Sequence, residues 1–192
     1  MRCLMCERLS LSHICKTCQK EYFTPKLYTR KILNSIPVYS FYKYSNIESL
    51  LLTKHTDVGF YIYKILAKLA FKKFADNFEF EDRVCSIAVD DHVKHGYSHS
   101  ALLNRSLTCK SIHPRVNILR AQNRETYAGK NYEYRLMNPR NFTCKDFKEE
   151  YVIVVDDIIT TGLTLTQAVN ALHVKKKEVL FCLTLADARE KD

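Results

Sequence analysis

A chain of 192 residues is long enough for one substantial apolar core with a small appendage. Its 46% hydrophobic and 27% charged content excludes a disordered chain, and no apolar run reaches the roughly 18 residues that a membrane-spanning helix needs. Thirty basic against twenty-one acidic side chains leave a net charge of +9, a balance common in proteins that meet phosphates, nucleic acid above all.

The first ten residues, MRCLMCERLS, are too polar for a signal peptide, so a cytoplasmic location is the expectation. The next signal is cysteine spacing. Cys3, Cys6, Cys15 and Cys18 form a C-x2-C-x8-C-x2-C pattern. Two close pairs joined by a short hairpin can set four thiolates in a tetrahedron, the arrangement of a structural zinc site. Such an ion supplies the stability that a small module lacks in apolar core. Two disulfides are the rival reading, disfavoured by a reducing compartment, and His13 is an alternative ligand. A closed shell of four protein ligands leaves no open coordination position, so the zinc is assigned no catalytic work. Cys85, Cys109, Cys144 and Cys182 are scattered and read as ordinary semi-buried thiols. The predicted division is a ribbon over 1–24 and a larger domain over 25–192.

Beyond Pro25 and Pro37, VYSFYKYS reads as a strand with alternating aromatic and polar positions. The segment from Ile47 to Phe78 reads as two helical stretches separated by a loop. In its second half Val58, Ile62, Ile65, Leu66 and Leu69 make an apolar stripe, while Lys64, Lys68 and Lys72 recur on another face. That lysine row is either a solvated face or a track for phosphates. VCSIAV is a second strand, and SALLNRSLTCKS a helix behind it. Residues 120–148 are rich in Arg, Asn and Tyr without a clear period, which predicts a functional loop or flap. There Tyr127, Tyr132 and Tyr134 interleave with Arg124, Lys130 and Arg135, as stacking beside phosphate pairing on a single strand requires.

Last come a strand over 151–155, a helix over 164–173 and a strand over 178–185. Strand, helix and strand in that order imply a parallel crossover, and ligands of such sheets bind beyond the carboxyl ends of the strands. Only four glycines occur where average usage gives about 13. Gly59, Gly96, Gly129 and Gly162 each sit in a predicted polar loop, and the four loops could converge on one phosphorylated ligand. In YVIVVDDIITTGLTL, Asp156 and Asp157 follow the apolar run, at a predicted exposed strand end. Carboxylates there can accept hydrogen bonds from a sugar diol or hold magnesium. Thr160, Thr161, Gly162 and Thr164 supply amides and hydroxyls for an anion at a helix N-terminus. The plain alternative is a threonine helix cap, which uses the same groups. A Walker A loop and a Rossmann fingerprint are both missing.

VIVVDDIITTGLTL resembles the phosphoribosyl-pyrophosphate motif of type I phosphoribosyltransferases. Together with the four-cysteine ribbon it resembles the ComF family of competence-associated proteins over nearly the whole chain. LTKHTDVG supplies Lys54, HGYSHSALL is a degraded central motif with His95 and Ser98 at its unusual positions, and RLMNPRNF keeps Arg135, Asn138 and Phe142. The resemblance implies an α/β, type I phosphoribosyltransferase-like fold, a parallel sheet flanked by helices, with a small N-terminal zinc ribbon. It implies that phosphoribosyl pyrophosphate binds with magnesium, Asp156 and Asp157 on the ribose hydroxyls, Thr160 to Thr164 on the 5-phosphate and Lys54 on the pyrophosphate. Asp156 and Asp157 would then be the catalytic pair of any transfer reaction. It further implies a part in handling single-stranded DNA during natural transformation, alongside other DNA-uptake or recombination proteins. An active phosphoribosyltransferase of nucleobase or nucleotide salvage is the alternative function.

Overall fold

The computed structural model describes residues 1–89, 96–123 and 131–189, with the side chain of His55 left undescribed. The predicted residues His95, Arg124, Tyr127, Gly129 and Lys130 therefore lie outside the described residues.

After an isolated antiparallel bridge between Arg2 and Leu9, the chain forms helix α1 (Lys16–Tyr22), capped by the Cys15 sulfur. An antiparallel pair follows, β1 (Tyr28–Ile32) and β2 (Ile36–Lys43). Helix α2 (Tyr44–Leu51) leads through a 3-10 turn at Leu52–His55 into α3 (Asp57–Ala67). Thr56 caps α3 by accepting from the Gly59 amide, so one hydroxyl satisfies a donor that the first turn leaves open. A π-helical turn at Lys68–Lys72 and the short α4 (Lys73–Ala75) continue the rod.

The remaining elements complete an α/β fold. Strand β3 (Val84–Ala88) precedes α5 (His99–Arg105), and β4 (Ile112–Arg115) follows it. Strand β5 (Leu119–Ala121), helix α6 (Tyr132–Met137) and β6 (Phe142–Cys144) come next. Strand β7 (Tyr151–Ile159), α7 (Leu163–Val174) and β8 (Glu178–Asp187) end the fold. Six strands make one sheet in the order β1-β2-β8-β7-β3-β4, parallel throughout except for the β1–β2 pair. β5 and β6 form a separate antiparallel pair. The mostly parallel, helix-flanked sheet expected from the sequence is the one observed.

Period-two alternation on β7 divides the interior. Ile153 and Val155 enter a cluster with α2, α3 and α5, whereas Val152 and Val154 enter a second one with α7. A strand buried on both faces needs the nearly unbroken apolar run seen here. The N-terminal segment belongs to the first cluster: Cys3, Ile14, Cys18 and Phe23 are buried with Phe41 and Tyr42. Tyr42 donates to the Phe23 carbonyl at 2.9 Å, and His13 stacks on Tyr61 of α3 at 4.6 Å between centroids.

Several predicted boundaries differ. β7 runs four residues past the predicted end, because Asp156 and Ile158 pair with Thr184 and Ala186 of β8 and the ladder satisfies their backbone groups. The helix predicted over 100–111 is shorter, since α5 closes at Arg105 and the chain turns into β4. Residues 120–148 are not a structureless flap: β5, α6 and β6 organise its described part. Gly59 lies buried within α3 and not in a polar loop, and a Cβ there would sit 2.1 Å from the Thr53 carbonyl oxygen. The lysine row is also interrupted. The π turn re-aims residues 68–72 relative to α3, and Lys72 pairs with Asp76 at 2.5 Å and donates to the Thr108 carbonyl. Lys64 and Lys68 remain exposed.

Candidate functional site

Alternation along β7 places Asp157 on the same face as Ile153 and Val155, beneath α3 and α5. It is buried at 7% exposure and not exposed at a strand end as expected, because the ladder carries it under those helices. One carboxylate oxygen gathers three partners. Lys54 of the 3-10 turn donates at 3.0 Å, His99 of α5 lies at 3.5 Å, and the Tyr63 hydroxyl of α3 donates at 3.4 Å. A buried carboxylate without such partners would be strongly penalised. Burial pushes Asp157 upward, yet Lys54 and His99 outweigh it and hold the group below the usual carboxylate range. Lys54 shows the reciprocal effect: burial lowers its affinity for a proton, and Asp157 more than restores it, leaving a net upward shift.

Asp156 is held differently. Its Oδ1 accepts from the Asp157 amide at 2.8 Å, and it retains partial exposure. Burial and the neighbouring Asp157 charge raise it well above the ordinary value. Two adjacent carboxyls are thus pushed apart, one ionised against a lysine and the other retaining its proton to higher pH.

Past β7, Thr160 and Thr161 are exposed and Gly162 is buried at φ +82°, the left-handed region that glycine enters without strain. A Cβ at Gly162 would also come within 3.0 Å of Ile32. Gly162, not a threonine, is the N-cap of α7, which has no side-chain cap; Thr161, one residue earlier, accepts weakly from the Leu163 amide at 3.4 Å. Thr164 stands half-buried in the first turn of α7.

Two arginines brace this loop. Arg30 of β1 donates to the Thr160 carbonyl at 2.5 Å, and its other arm lies 3.7 Å from Asp187, which also receives Arg189 at 2.8 Å. Arg135 of α6 donates to the Thr160 hydroxyl at 2.7 Å. The β5–β6 unit is tied to α7 as well, through the Arg140 amide and Gln167 Oε1 at 2.8 Å. Tyr132 is exposed and Tyr134 half-buried on the same short helix. Asn138 donates to the Tyr134 carbonyl, and Phe142 packs on the second apolar cluster. Ser98 of the central motif caps α5, accepting from the Ala101 amide. Gly96 has φ +85° with open space around it.

Sequence reasoning named Lys54, Asp156, Asp157 and the threonine loop, and these do lie along one carboxyl edge of the sheet. It missed Tyr63, His99, Arg30 and Tyr97, whose hydroxyl donates to the Lys54 carbonyl at 3.0 Å. Tyr63 sits one position from Ile62 of the apolar stripe and could have been singled out as a buried tyrosine that needs a partner. Nothing local marks Arg30, whose partner Thr160 is 130 residues away.

The sulfurs of Cys3, Cys6, Cys15 and Cys18 lie within 4.8 Å of one another, a group that could hold a metal ion. Cys6 and Cys15 are 3.8 Å apart, which matches the edge of a tetrahedron with zinc–sulfur bonds of about 2.3 Å. The Cys15 amide donates to the Cys3 sulfur at 3.2 Å and lowers that thiol to about 6, whereas burial and the neighbouring thiols push Cys18 of the same group up. His13, stacked on Tyr61, stands outside this group. Among the described residues no helix is long and apolar enough to cross a membrane.

No protein-family model matches the chain, and no curated protein matches it. Two crystal forms of a hypoxanthine phosphoribosyltransferase from Staphylococcus aureus align with it at 17% identity, with TM-scores of 0.40 and 0.38. Each alignment covers 68% of this chain and 67% of that one.

Three outcomes are expected. Metal analysis should find one zinc per chain, and Cys15→Ser should lose it and lower Tm by about 5–10 °C, the equivalent of roughly 2–4 kcal/mol for a chain this size. Retained metal in that variant would show that a different ligand set holds the ion. The second concerns Asp156. A carboxyl raised on folding contributes stability below its ordinary value near pH 4, and that contribution is lost as pH climbs through the raised value. Asp156→Asn should therefore melt higher than the parent at about pH 8 and equal to it at about pH 4. Asp157, shifted the other way, contributes above the ordinary value and loses that contribution as pH falls, so Asp157→Asn should melt lower at neutral pH.

Proposed function

We propose that the protein is a ComF-type protein that binds phosphoribosyl pyrophosphate at the carboxyl end of β7 and handles single-stranded DNA in the cytoplasm during DNA uptake. One observation carries the first half: Lys54 meets Asp157 on the same strand that turns, at Gly162, into the N-terminus of α7. A ligand with phosphate at one end and a ribose diol at its middle suits that sequence of groups. In this reading Thr160, Thr161, Gly162 and Thr164 receive the 5-phosphate on amides and hydroxyls. Asp156 and Asp157 accept from the ribose hydroxyls, and Lys54 turns from Asp157 toward the pyrophosphate. Arg135, already on the Thr160 hydroxyl, can add a charge-assisted bond to the same phosphate.

Magnesium fits the ligand's own pyrophosphate together with Asp156, whose raised carboxyl would give up its proton on meeting the cation, and there it would neutralise charge on the departing group. A second reading, active phosphoribosyl transfer, is favoured by the position of α6 and the β5–β6 unit against the phosphate loop. That cover would exclude water from a ribose carbon that develops positive charge. Asp157, stabilised in its ionised form, would lie on the side of that charge.

For DNA, support comes from the net charge of +9, from exposed Lys64 and Lys68, and from exposed Tyr132. Tyr134 and Arg135 lie on α6 with Tyr132, and Arg124 and Lys130, named from the sequence for the same contact, lie outside the described residues. Lys72, held by Asp76, would have to exchange partners to join it.

Calorimetry with phosphoribosyl pyrophosphate and magnesium should show binding that Asp156→Ala with Asp157→Ala abolishes in a protein that still melts cooperatively. Unchanged binding would place the ligand elsewhere, and pyrophosphate release with a panel of nucleobases separates a transferase from a binding protein. Single-stranded oligonucleotide should bind more tightly than duplex. Lys64→Gln with Lys68→Gln should flatten the log–log salt dependence by about 0.7 for each phosphate that is no longer neutralised. Tyr132→Ala should weaken binding by roughly 1–3 kcal/mol at nearly constant slope. Equal affinity for both strand forms would remove the stacking term, and salt-insensitive binding the electrostatic one.

A further inference from the structure

The other end of the sheet carries a groove that the phosphoribosyl reading does not use. It runs along the edge strand β4, with a volume of about 510 Å³, the size of a pocket for one small organic ligand. Arg83 enters from the start of β3, Arg105 from the end of α5, and His113 and Arg115 from β4 itself. Glu149, just ahead of β7, closes one side. The step from Glu149 to Asp156 along extended chain is roughly 20 Å, so one small ligand cannot occupy both places.

The polar groups of the groove are unevenly satisfied. Arg115 donates with two nitrogens to the same oxygen of Glu149, Oε1. The other oxygen, Oε2, is buried without a partner among the described residues, on a side chain only 9% exposed. Burial works against the charge of this carboxyl, but the Arg115 contact outweighs it and holds Glu149 below its usual range, an ionised acceptor. His113 Nε2 is likewise buried and unpartnered among the described residues. Arg83 and Arg105, both exposed, have no partner for their guanidinium groups among the described residues. Buried polar atoms without partners cost free energy that a bound molecule can recover, and two unpaired guanidiniums beside them call for an anion.

We propose that this groove binds a nucleotide, its phosphate on Arg83 and Arg105 and its base presenting N–H donors to Glu149 Oε2. Phosphate alone would satisfy the arginines and would be repelled by the carboxylate. A neutral base alone would suit Glu149 and leave the arginines unused. A nucleoside phosphate carries both chemistries in one molecule, and His113, whose Nε2 has no partner among the described residues, lines the same groove. Guanine, with adjacent ring and exocyclic N–H groups, suits the carboxylate best. The same chemistry is offered by a free nucleotide and by one unit of a single strand. This assignment does not depend on the site at the carboxyl edge.

Photo-crosslinking of the full chain with 8-azidoguanosine monophosphate, followed by peptide mapping, locates the ligand directly. Label is expected on tryptic peptides carrying Thr108 or His113, at least ten-fold weaker in Arg83→Gln with Arg105→Gln. Because both arginines are exposed and unpaired, that variant should melt like the parent, and Arg105→Gln alone gives a milder second test. Guanosine monophosphate should protect from labelling, and ribose 5-phosphate should need at least ten-fold more. Protection by a short single-stranded oligonucleotide at equal nucleotide concentration identifies a strand as the source, and protection by the free nucleotide alone identifies a small molecule. Label confined to the segment from Asp157 to Thr164, or unchanged in the arginine variants, would overturn the site. Equal protection by inorganic phosphate and guanosine monophosphate would overturn the contact with a base.

Discussion

A buried carboxylate must be given partners, and the arrangement around Asp157 follows from that requirement. Its single oxygen Oδ2 draws on the 3-10 turn, on α3 and on α5, so three separate elements are referred to one atom of β7. Removing any one partner would leave the others facing a charge less well compensated. The cluster also holds Lys54 in place before any ligand arrives, and the Tyr97 hydroxyl fixes the same residue from its carbonyl side. Gly59 permits this approach, since any side chain there would collide with the turn that carries Lys54.

The loop after β7 is held by a different principle. Its backbone turns through a left-handed glycine, and its first carbonyl and first hydroxyl are taken by arginines from β1 and α6. Arg30 is itself fixed by Asp187 at the end of β8, so neighbouring strands position the loop from one side while the β5–β6 unit reaches α7 from another. An anion at the start of α7 would therefore meet oriented amides and at least one guanidinium without a large rearrangement of the sheet.

The N-terminal segment is bound to this scaffold through shared burial. Two of its cysteines and Phe23 lie in the same apolar cluster as the helices that carry Lys54 and Tyr63. A metal in the cysteine group would stabilise the segment and, through Ile14 and Phe23, the packing of that helical layer. At the β4 edge of the sheet the polar groups are left less complete: among the described residues Arg83 and Arg105 of the groove lack partners and Glu149 Oε2 is orphaned.

Features with local causes were legible in the amino-acid order. The C-x2-C pairs, the apolar run of β7, the glycine at the turn and the crossover through α7 each follow from spacing or from backbone chemistry within a few residues. Asp156, Asp157 and Thr160 to Thr164 could be named for the same reason, whereas Lys54 was named only through the family resemblance. What tertiary structure decided was everything that depends on a partner far along the chain. The β7–β8 ladder carried the strand through both aspartates and buried Asp157, where a reading of polarity had put an exposed end. The π turn broke the lysine row that a constant helical period implies. Pairing of β5 with β6 gave form to a segment with no period of its own. Arg30 and His99 entered the site through contacts spanning much of the sequence, because side-chain chemistry is written locally but burial and proximity are set by how the layers close.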